Sequence, residues 1–141
     1  MSGSPGDGQR QRATVLMSTD PELLALQEQN GFADAVVIGG DVLLSGVVTD
    51  PKGTADLEAA YAQTFAAIGQ TLARAGASWD DVVEITSFHT DLKKQLEAYV
   101  AAKRRVVRLP HPAWTAVGTT ELVGGTGVTE TRVRARRAAA A

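Results

Sequence analysis

Two side chains of this sequence, Glu130 and His89, have the clearest capacity for acid–base chemistry. Glu130 alternates with Arg132 and Arg134 in a run of β-forming residues, and a carboxylate there becomes an acid or base only where a cleft buries it. His89 ends an apolar run and precedes a polar turn. Histidine can move protons near neutral pH, but in such a place it is more often structural, so both interpretations stay open.

Other residues that could bind or react give weaker signals. Trp114 lies in HPAWTAVG, where a tryptophan more often belongs to the core or to an interface than to a ligand platform. Ser45 and His89 could be members of a catalytic triad, but LLSGVV around Ser45 lacks the Gly-x-Ser-x-Gly elbow of serine hydrolases. The Gly-rich segments at 39–41 and 124–127 lack the Lys-Ser/Thr of a phosphate loop, so we interpret them as turns.

Composition excludes several classes of site and of partner. The chain has 141 residues and no cysteine, which excludes disulfides, thiolate zinc sites and a cysteine nucleophile. Two histidines make a metal site built mainly on histidine an unfavourable interpretation, and we expect no metal. Lys and Arg number 14 against 16 Asp and Glu, which argues against a general nucleic-acid binder. No apolar run approaches the roughly 20 residues that span a bilayer, and the first residues lack the apolar core of a signal peptide. We expect a soluble, cytoplasmic protein without membrane contact.

The elements that must position these side chains are indicated by periodicity and turn signals. Apolar residues between 55 and 75 recur at spacings of three and four, which predicts a helix with one buried face. Two apolar runs on either side of Gly39-Gly40-Asp41 predict a hairpin. Two helices interleaved with strands predict an α/β (α+β) fold, with a mixed sheet and both helices on one face. The predicted order is a strand at 13–17, a short helix at 21–29, the hairpin, the helix at 55–75, a strand at 82–88, a helix after Asp91, and strands at 113–118 and 128–136.

One folded domain, 12–136, is predicted between a disordered tail at 1–11 and a C-terminal tail at 137–141. The first segment is rich in Gly, Ser, Gln and Arg and carries almost no large apolar side chain, so it cannot offset the entropy cost of ordering. The face of the sheet that lacks helices must also be covered. In a chain of this size, self-association is the simplest way to cover it.

Three segments in this order resemble the reactive intermediate deaminase (Rid, YjgF-like) family. They are ADAVVIGGDVLLSGVV with its Ser-Gly, TLARAGASWDDVVEITSFHTDL with its Ala-Gly and Asp-Asp-Val-Val, and HPAWTAVG followed by a final strand. Each segment alone is a weak signal, but their order and spacing together are fairly specific. The resemblance covers about residues 30–136.

The resemblance implies a chorismate-mutase-like fold that assembles as a homotrimer. The three sheets would form a central barrel with the helices outside, and ligand clefts would lie between neighbouring subunits. Best-known members hydrolyse enamines and imines to a keto acid and ammonia, without a metal or an organic cofactor. We therefore expect a small-molecule substrate and no cofactor.

Three residues match the family's cleft at the positions that the resemblance implies, and a fourth departs from it. Ser45 and Gly46 match the Ser-Gly whose backbone helps to line the cleft. Glu130 matches the glutamate that positions the attacking water. Phe32 falls where the family has a tyrosine, so the hydroxyl is missing.

The main departure from the family is Trp114, which falls where the family has an arginine that binds the substrate carboxylate. It is followed by Thr115, which we also expect in the cleft. Tryptophan offers an aromatic face and one N–H donor, and cannot replace a charged two-pronged hydrogen bond. We therefore expect a more apolar or aromatic substrate stacked on Trp114, with His89 assisting Glu130 in proton transfer.

Several functions remain open at this point. The first is a cofactor-free hydrolase or deaminase for imines, enamines or related reactive metabolites. A variant is a specialised lyase or isomerase of a biosynthetic or catabolic pathway that uses the same cleft. The second is a non-catalytic small-molecule-binding trimer. An endoribonuclease or translation inhibitor, a label sometimes attached to the family, ranks last because of the net charge of −2.

Overall fold

Seven strands and three helices form the fold in the computed structural model, which describes residues 13–138. A single turn of 3₁₀ helix, Trp79–Asp81, precedes the fifth strand. The strands are β1 (Thr14–Leu16), β2 (Ala35–Ile38), β3 (Asp41–Leu44), β4 (Val47–Thr49), β5 (Val82–His89), β6 (Ala113–Gly118) and β7 (Thr129–Arg136), and the helices are α1 (Pro21–Asn30), α2 (Leu57–Arg74) and α3 (Leu92–Val106).

The strands form one mixed sheet in the order β1-β2-β3-β7-β5-β6, with β4 also paired to β7. The pair β5–β6 is parallel and the other pairs are antiparallel. The hairpin between β2 and β3 turns at Gly39, whose φ of 58° favours glycine. The predicted mixed sheet with helices packed against it is confirmed.

The helices α2 and α3 cover one face of the sheet. Each begins at an aspartate whose carboxylate accepts a backbone N–H: Asp56 from Ala59 and Asp91 from Lys94. Both helices bury aromatic rings, and the Tyr61 and Tyr99 rings meet edge to face at 5.1 Å between centroids. The large buried side chains of α2 recur at the spacing expected from the sequence: Tyr61, Phe65, Ile68 and Leu72.

Strand β7 lies in the middle of the sheet and divides its residues between the two faces. Thr129, Thr131, Val133 and Ala135 are buried on the helix side. The alternate positions are therefore on the opposite face: Glu130, Arg132, Arg134 and Arg136. That face also carries exposed apolar side chains, among them Leu43 on β3 and Val117 on β6, each about two-fifths exposed.

The predicted tail at 1–11 lies outside the described residues, as do 139–141. Arg137, the first residue of the predicted C-terminal tail, forms hydrogen bonds with the domain. Its backbone N–H donates to the Gly40 carbonyl at 2.8 Å, and its guanidinium donates to the Ala75 carbonyl at 2.9 Å. Within the described part of the chain, no helix has the length and apolar character needed to cross a membrane.

Candidate functional site

A bulge between β3 and β4 brings the Ser45–Gly46 segment against β7. Leu43 pairs with Arg134 and Val47 pairs with Thr131. The three residues 44–46 therefore lie opposite only two residues of β7, 132 and 133. The backbone N–H of Ser45 donates to the Asp34 carbonyl at 3.0 Å, and its hydroxyl donates to the Ala33 carbonyl at 2.6 Å. Both bonds anchor the loop that carries Phe32.

The carboxylate of Glu130 lies directly over the α-carbon of Gly46. A Cβ added at Gly46 would lie 2.7 Å from Oε2, 2.8 Å from Cδ and 2.9 Å from Cγ of Glu130. Real Cβ atoms essentially never come closer than 3.0 Å to another heavy atom. Glycine is therefore required at position 46 for the carboxylate to occupy this place.

A pocket of about 510 Å³ opens beside this contact, a volume typical of small-molecule sites. It brings together four of the residues that the sequence singled out, Phe32, Ser45, Gly46 and Glu130. We call it the Glu130 pocket. Its remaining lining residues are Leu23, Leu26, Asp34, Leu44, Val47, Val48, Thr71 and Val123.

The second carboxylate of the pocket, Asp34, is already engaged. Its Oδ1 accepts from the Gln27 side chain at 2.6 Å, and its Oδ2 forms an ion pair with Arg74 at 2.8 Å. No hydrogen bond to the Glu130 carboxylate is formed by the described residues 13–138. Glu130 is therefore the carboxylate of this pocket that is free to meet a ligand or a water molecule.

Helix α1 supplies an apolar wall that the sequence analysis did not assign to a site. Asp20 caps the helix through a bond from the Glu22 backbone N–H at 3.3 Å, and Gly31 ends it at a φ of 77°. Leu23 and Leu26 lie three residues apart and line the same pocket. The spacing of these two leucines could have indicated from the sequence that this helix has an apolar face.

His89, which we expected to assist Glu130, lies on the opposite face of the sheet. Phe88 is the residue that pairs with Glu130, and its neighbour His89 pairs with Thr129 and is fully buried on the helix side. Burial lowers the pKa of His89 below its ordinary value of 6.5. The register of β5 and β7 therefore keeps His89 and Glu130 of the same chain on opposite faces of the sheet. The expectation that His89 assists Glu130 by proton transfer is corrected accordingly for residues of one chain.

Trp114 also lies on the helix side, away from the Glu130 pocket of its own chain. Its Nε1 donates to Ser87 Oγ at 2.9 Å, its ring stacks on Tyr99 at 6.0 Å between centroids, and Lys103 Nζ lies 4.2 Å from the ring centroid. Thr115 is exposed on the other face of edge strand β6. Neither residue lines the Glu130 pocket of the same chain.

The described residues hold no group of three or more His, Asp or Glu side chains that could bind a metal ion. The Glu130 pocket offers one free carboxylate with apolar walls. Such a site can bind a small, largely apolar molecule and can accept or donate a proton at one place.

The comparisons with a family model and with known proteins agree with each other. The family model described as Endoribonuclease L-PSP matches residues 23–135. The RutC family protein YjgH of Escherichia coli K12 is 34% identical over 104 residues, which cover 71% of this chain and 79% of that protein.

Solved structures give the same result. A structure of protein YjgH is 30% identical with a TM-score of 0.74, covering 89% of this chain and 97% of that one. RidA from an Antarctic Psychrobacter is 27% identical with a TM-score of 0.67, covering 75% and 88%. Rv2704 of Mycobacterium tuberculosis, a member of the YjgF/YER057c/UK114 family, has a TM-score of 0.75 at 22% identity, covering 88% and 98%.

Proposed function

Because the chain belongs to the Endoribonuclease L-PSP family, which includes the YjgF and Rid proteins, we propose that it is a cofactor-free hydrolase. Its substrates would be imines, enamines or related small reactive metabolites. Family membership supports a small-molecule-processing role. The observation that carries the proposal is the free Glu130 carboxylate, seated over Gly46 in a pocket of about 510 Å³.

In the proposed reaction, Glu130 activates a water molecule against the carbon of a C=N bond. The carboxylate accepts a proton as the water oxygen bonds to that carbon, and the π electrons move to nitrogen, which takes up a proton from solvent. The resulting carbinolamine collapses when its hydroxyl loses a proton to solvent, the C–N bond breaks, and ammonia leaves with the proton returned by Glu130. Imine and water thus give a carbonyl compound and ammonia, with one carboxylate serving as base and then as acid.

The walls of the pocket favour a substrate without a carboxylate. Leu23, Leu26, Phe32, Leu44 and Val47 supply mostly apolar surface, and no Lys or Arg is among its described lining residues. A negatively charged group entering the pocket would meet the Glu130 carboxylate, and none of the described lining residues carries a compensating positive charge. This charge pattern supports the altered substrate choice, and it disfavours the phosphate backbone of RNA.

We further propose that neighbouring copies complete the site in a homotrimer. Phe32 and Leu26, which line the pocket, are 40% and 48% exposed. The helix-free face of the sheet also carries exposed apolar residues, and such patches are typical of interaction surfaces. Trp114 and Thr115 lie on the edge strand β6, which is open to pairing. They would reach a substrate only from a neighbouring copy.

The test compares two imines that differ by a carboxylate. One is generated in situ from phenylalanine by an amino-acid oxidase, the other from 2-phenylethylamine by an amine oxidase, and imine decay is followed against the spontaneous rate. We expect the protein to accelerate hydrolysis, with the greater acceleration for the imine without a carboxylate. A preference for the carboxylated imine would overturn the substrate class. No acceleration of either, together with binding of the carbonyl products, would favour the non-catalytic binding protein instead.

A further inference from the structure

Two buried threonines flank Glu130 on β7 and direct their hydroxyls to the helix side of the sheet. The Oγ1 atom of Thr129 lies 2.7 Å from the Tyr61 hydroxyl on α2. The Oγ1 atom of Thr131 lies 2.9 Å from the Tyr99 hydroxyl on α3. β7 is therefore hydrogen-bonded to α2 on one side of Glu130 and to α3 on the other.

A chain of hydrogen bonds joins Thr129 to the edge of the sheet. The Nε1 atom of Trp114 lies 2.9 Å from Ser87 Oγ, and that oxygen lies 2.8 Å from His89 Nε2. The Nδ1 atom of the same imidazole lies 3.2 Å from Thr129 Oγ1, and Gln95 Oε1 on α3 lies 3.4 Å from the same threonine oxygen. The chain crosses β6, β5 and β7 and ends beside the proposed base.

When every contact in this series of hydrogen bonds is used, the groups at its two ends determine where each proton lies. Gln95 Oε1 can only accept, so the Thr129 hydroxyl donates to it and accepts from His89 Nδ1. The indole N–H of Trp114 can only donate, so Ser87 Oγ accepts it and donates its own proton to His89 Nε2. The imidazole is then the neutral tautomer with its proton on Nδ1. Burial, which lowers the pKa of His89, favours the same neutral state.

On the helix side of β7, the buried polar side-chain contacts are confined to the part of the strand that carries Glu130. Farther along the same strand and face, Val133 and Ala135 are buried in the apolar core. An apolar side chain at 129 or 131 would also bury its surface without needing a partner. The hydroxyls add directional contacts where the backbone next to Glu130 must be held in one place.

We propose that this buried network positions the Glu130 carboxylate, with Thr129, Thr131 and His89 as positioning residues. The network holds the backbone of β7 from the helix side, while Gly46 leaves room for the carboxylate on the other face. The inference rests on the proposed function, because it concerns the carboxylate assigned there as the base. Side chains that hold a reacting group through hydrogen bonds preserve its productive geometry.

The test removes one hydroxyl at a time and reads kcat and KM separately for the imine formed from 2-phenylethylamine. Thr129→Val keeps the shape of the side chain and removes its hydrogen bonds, Thr129→Ser restores the hydroxyl, and Tyr99→Phe removes the partner of Thr131. The matched control is Thr64→Val, whose hydroxyl lies 2.6 Å from Thr49 Oγ1 on the same side of the sheet. Tyr99→Phe also serves if Thr129→Val fails to fold.

We expect Thr129→Val to lower kcat about tenfold or more with KM within twofold, because small displacements of a reacting group cost rate steeply. Thr129→Ser should recover most of the loss, and Thr64→Val should keep the wild-type kcat. A kcat unchanged in both Thr129→Val and Tyr99→Phe, or lowered equally in Thr64→Val, would overturn the inference.

A second readout needs no turnover. Amide hydrogen exchange at Glu130 should accelerate in Thr129→Val by a larger factor than at the β2 amides, whereas a uniform change across the sheet would mean general destabilisation and overturn the inference. If the wild type hydrolyses no imine, the proposed function fails while this exchange pattern still decides whether the network holds β7.

Discussion

Replacing Gly46 by alanine is the smallest change that should displace the carboxylate on which the proposed chemistry depends. The new methyl would lie 2.7 Å from Glu130 Oε2, whereas ordinary contacts begin at 3.4 Å, so the carboxylate must retreat by about 0.7 Å. Because the colliding atoms all belong to one flexible side chain and none to the backbone, the fold should absorb the change. A displacement approaching 1 Å can cost on the order of a hundredfold in rate, or about 2.7 kcal/mol of transition-state stabilisation.

The assay is kcat for imine hydrolysis beside the thermal unfolding midpoint of the same preparation. We expect Gly46→Ala to lose about tenfold to a hundredfold in kcat while the midpoint changes little. Gly118→Ala is the matched control, because a Cβ there would meet only the His89 carbonyl, at an ordinary 3.8 Å. A Gly46→Ala protein with wild-type kcat would refute the placement of Glu130 against Gly46 as the working geometry.

Three further predictions concern stability and assembly. Because burial lowers the pKa of His89 below 6.5, the unfolded state takes up this proton at a higher pH than the folded state does. The free energy of unfolding should therefore fall as pH is lowered through about 6.5 toward the lower pKa of the folded state, and this slope should weaken in His89→Gln. Trp114→Phe removes the N–H that donates to Ser87 and should lower stability by about 1–2 kcal/mol in urea unfolding. An unchanged unfolding midpoint would contradict a stabilising role for this hydrogen bond. Leu43→Lys places a charge on the helix-free face and should convert the proposed trimer to smaller species in sedimentation equilibrium, whereas an unaltered mass would exclude that face from the interface.

The elements of this fold follow closely from the sequence because each carries a local signal. The helix expected at 55–75 spans Leu57–Arg74, and the strand expected at 113–118 is β6. Their periodicity and end signals depend on neighbours in the chain. The Ser45–Gly46 segment and Glu130 were also found from the sequence, through their resemblance to a family pattern, and they meet in one pocket.

The faces of β5 and β6 on which His89 and Trp114 lie could not be predicted from the sequence. In a strand, a shift of one residue moves a side chain to the other face. Which face His89 occupies depends on the pairing of Phe88 with Glu130, a contact between strands more than 40 positions apart. Trp114 likewise follows from its pairing with Ile85, which is buried on the helix side.

Glu130 is the residue proposed to carry out the chemistry, and the rate of Glu130→Gln is the strictest check of that role. The measurement is the initial rate of hydrolysis of the imine from 2-phenylethylamine at equal protein concentration, beside Glu121→Gln, which alters an exposed glutamate outside the pocket. Because an acid–base group contributes about a hundredfold or more, we expect a loss of that size in Glu130→Gln and a wild-type rate in Glu121→Gln. A Glu130→Gln rate within about threefold of the wild type, far short of that contribution, would contradict it.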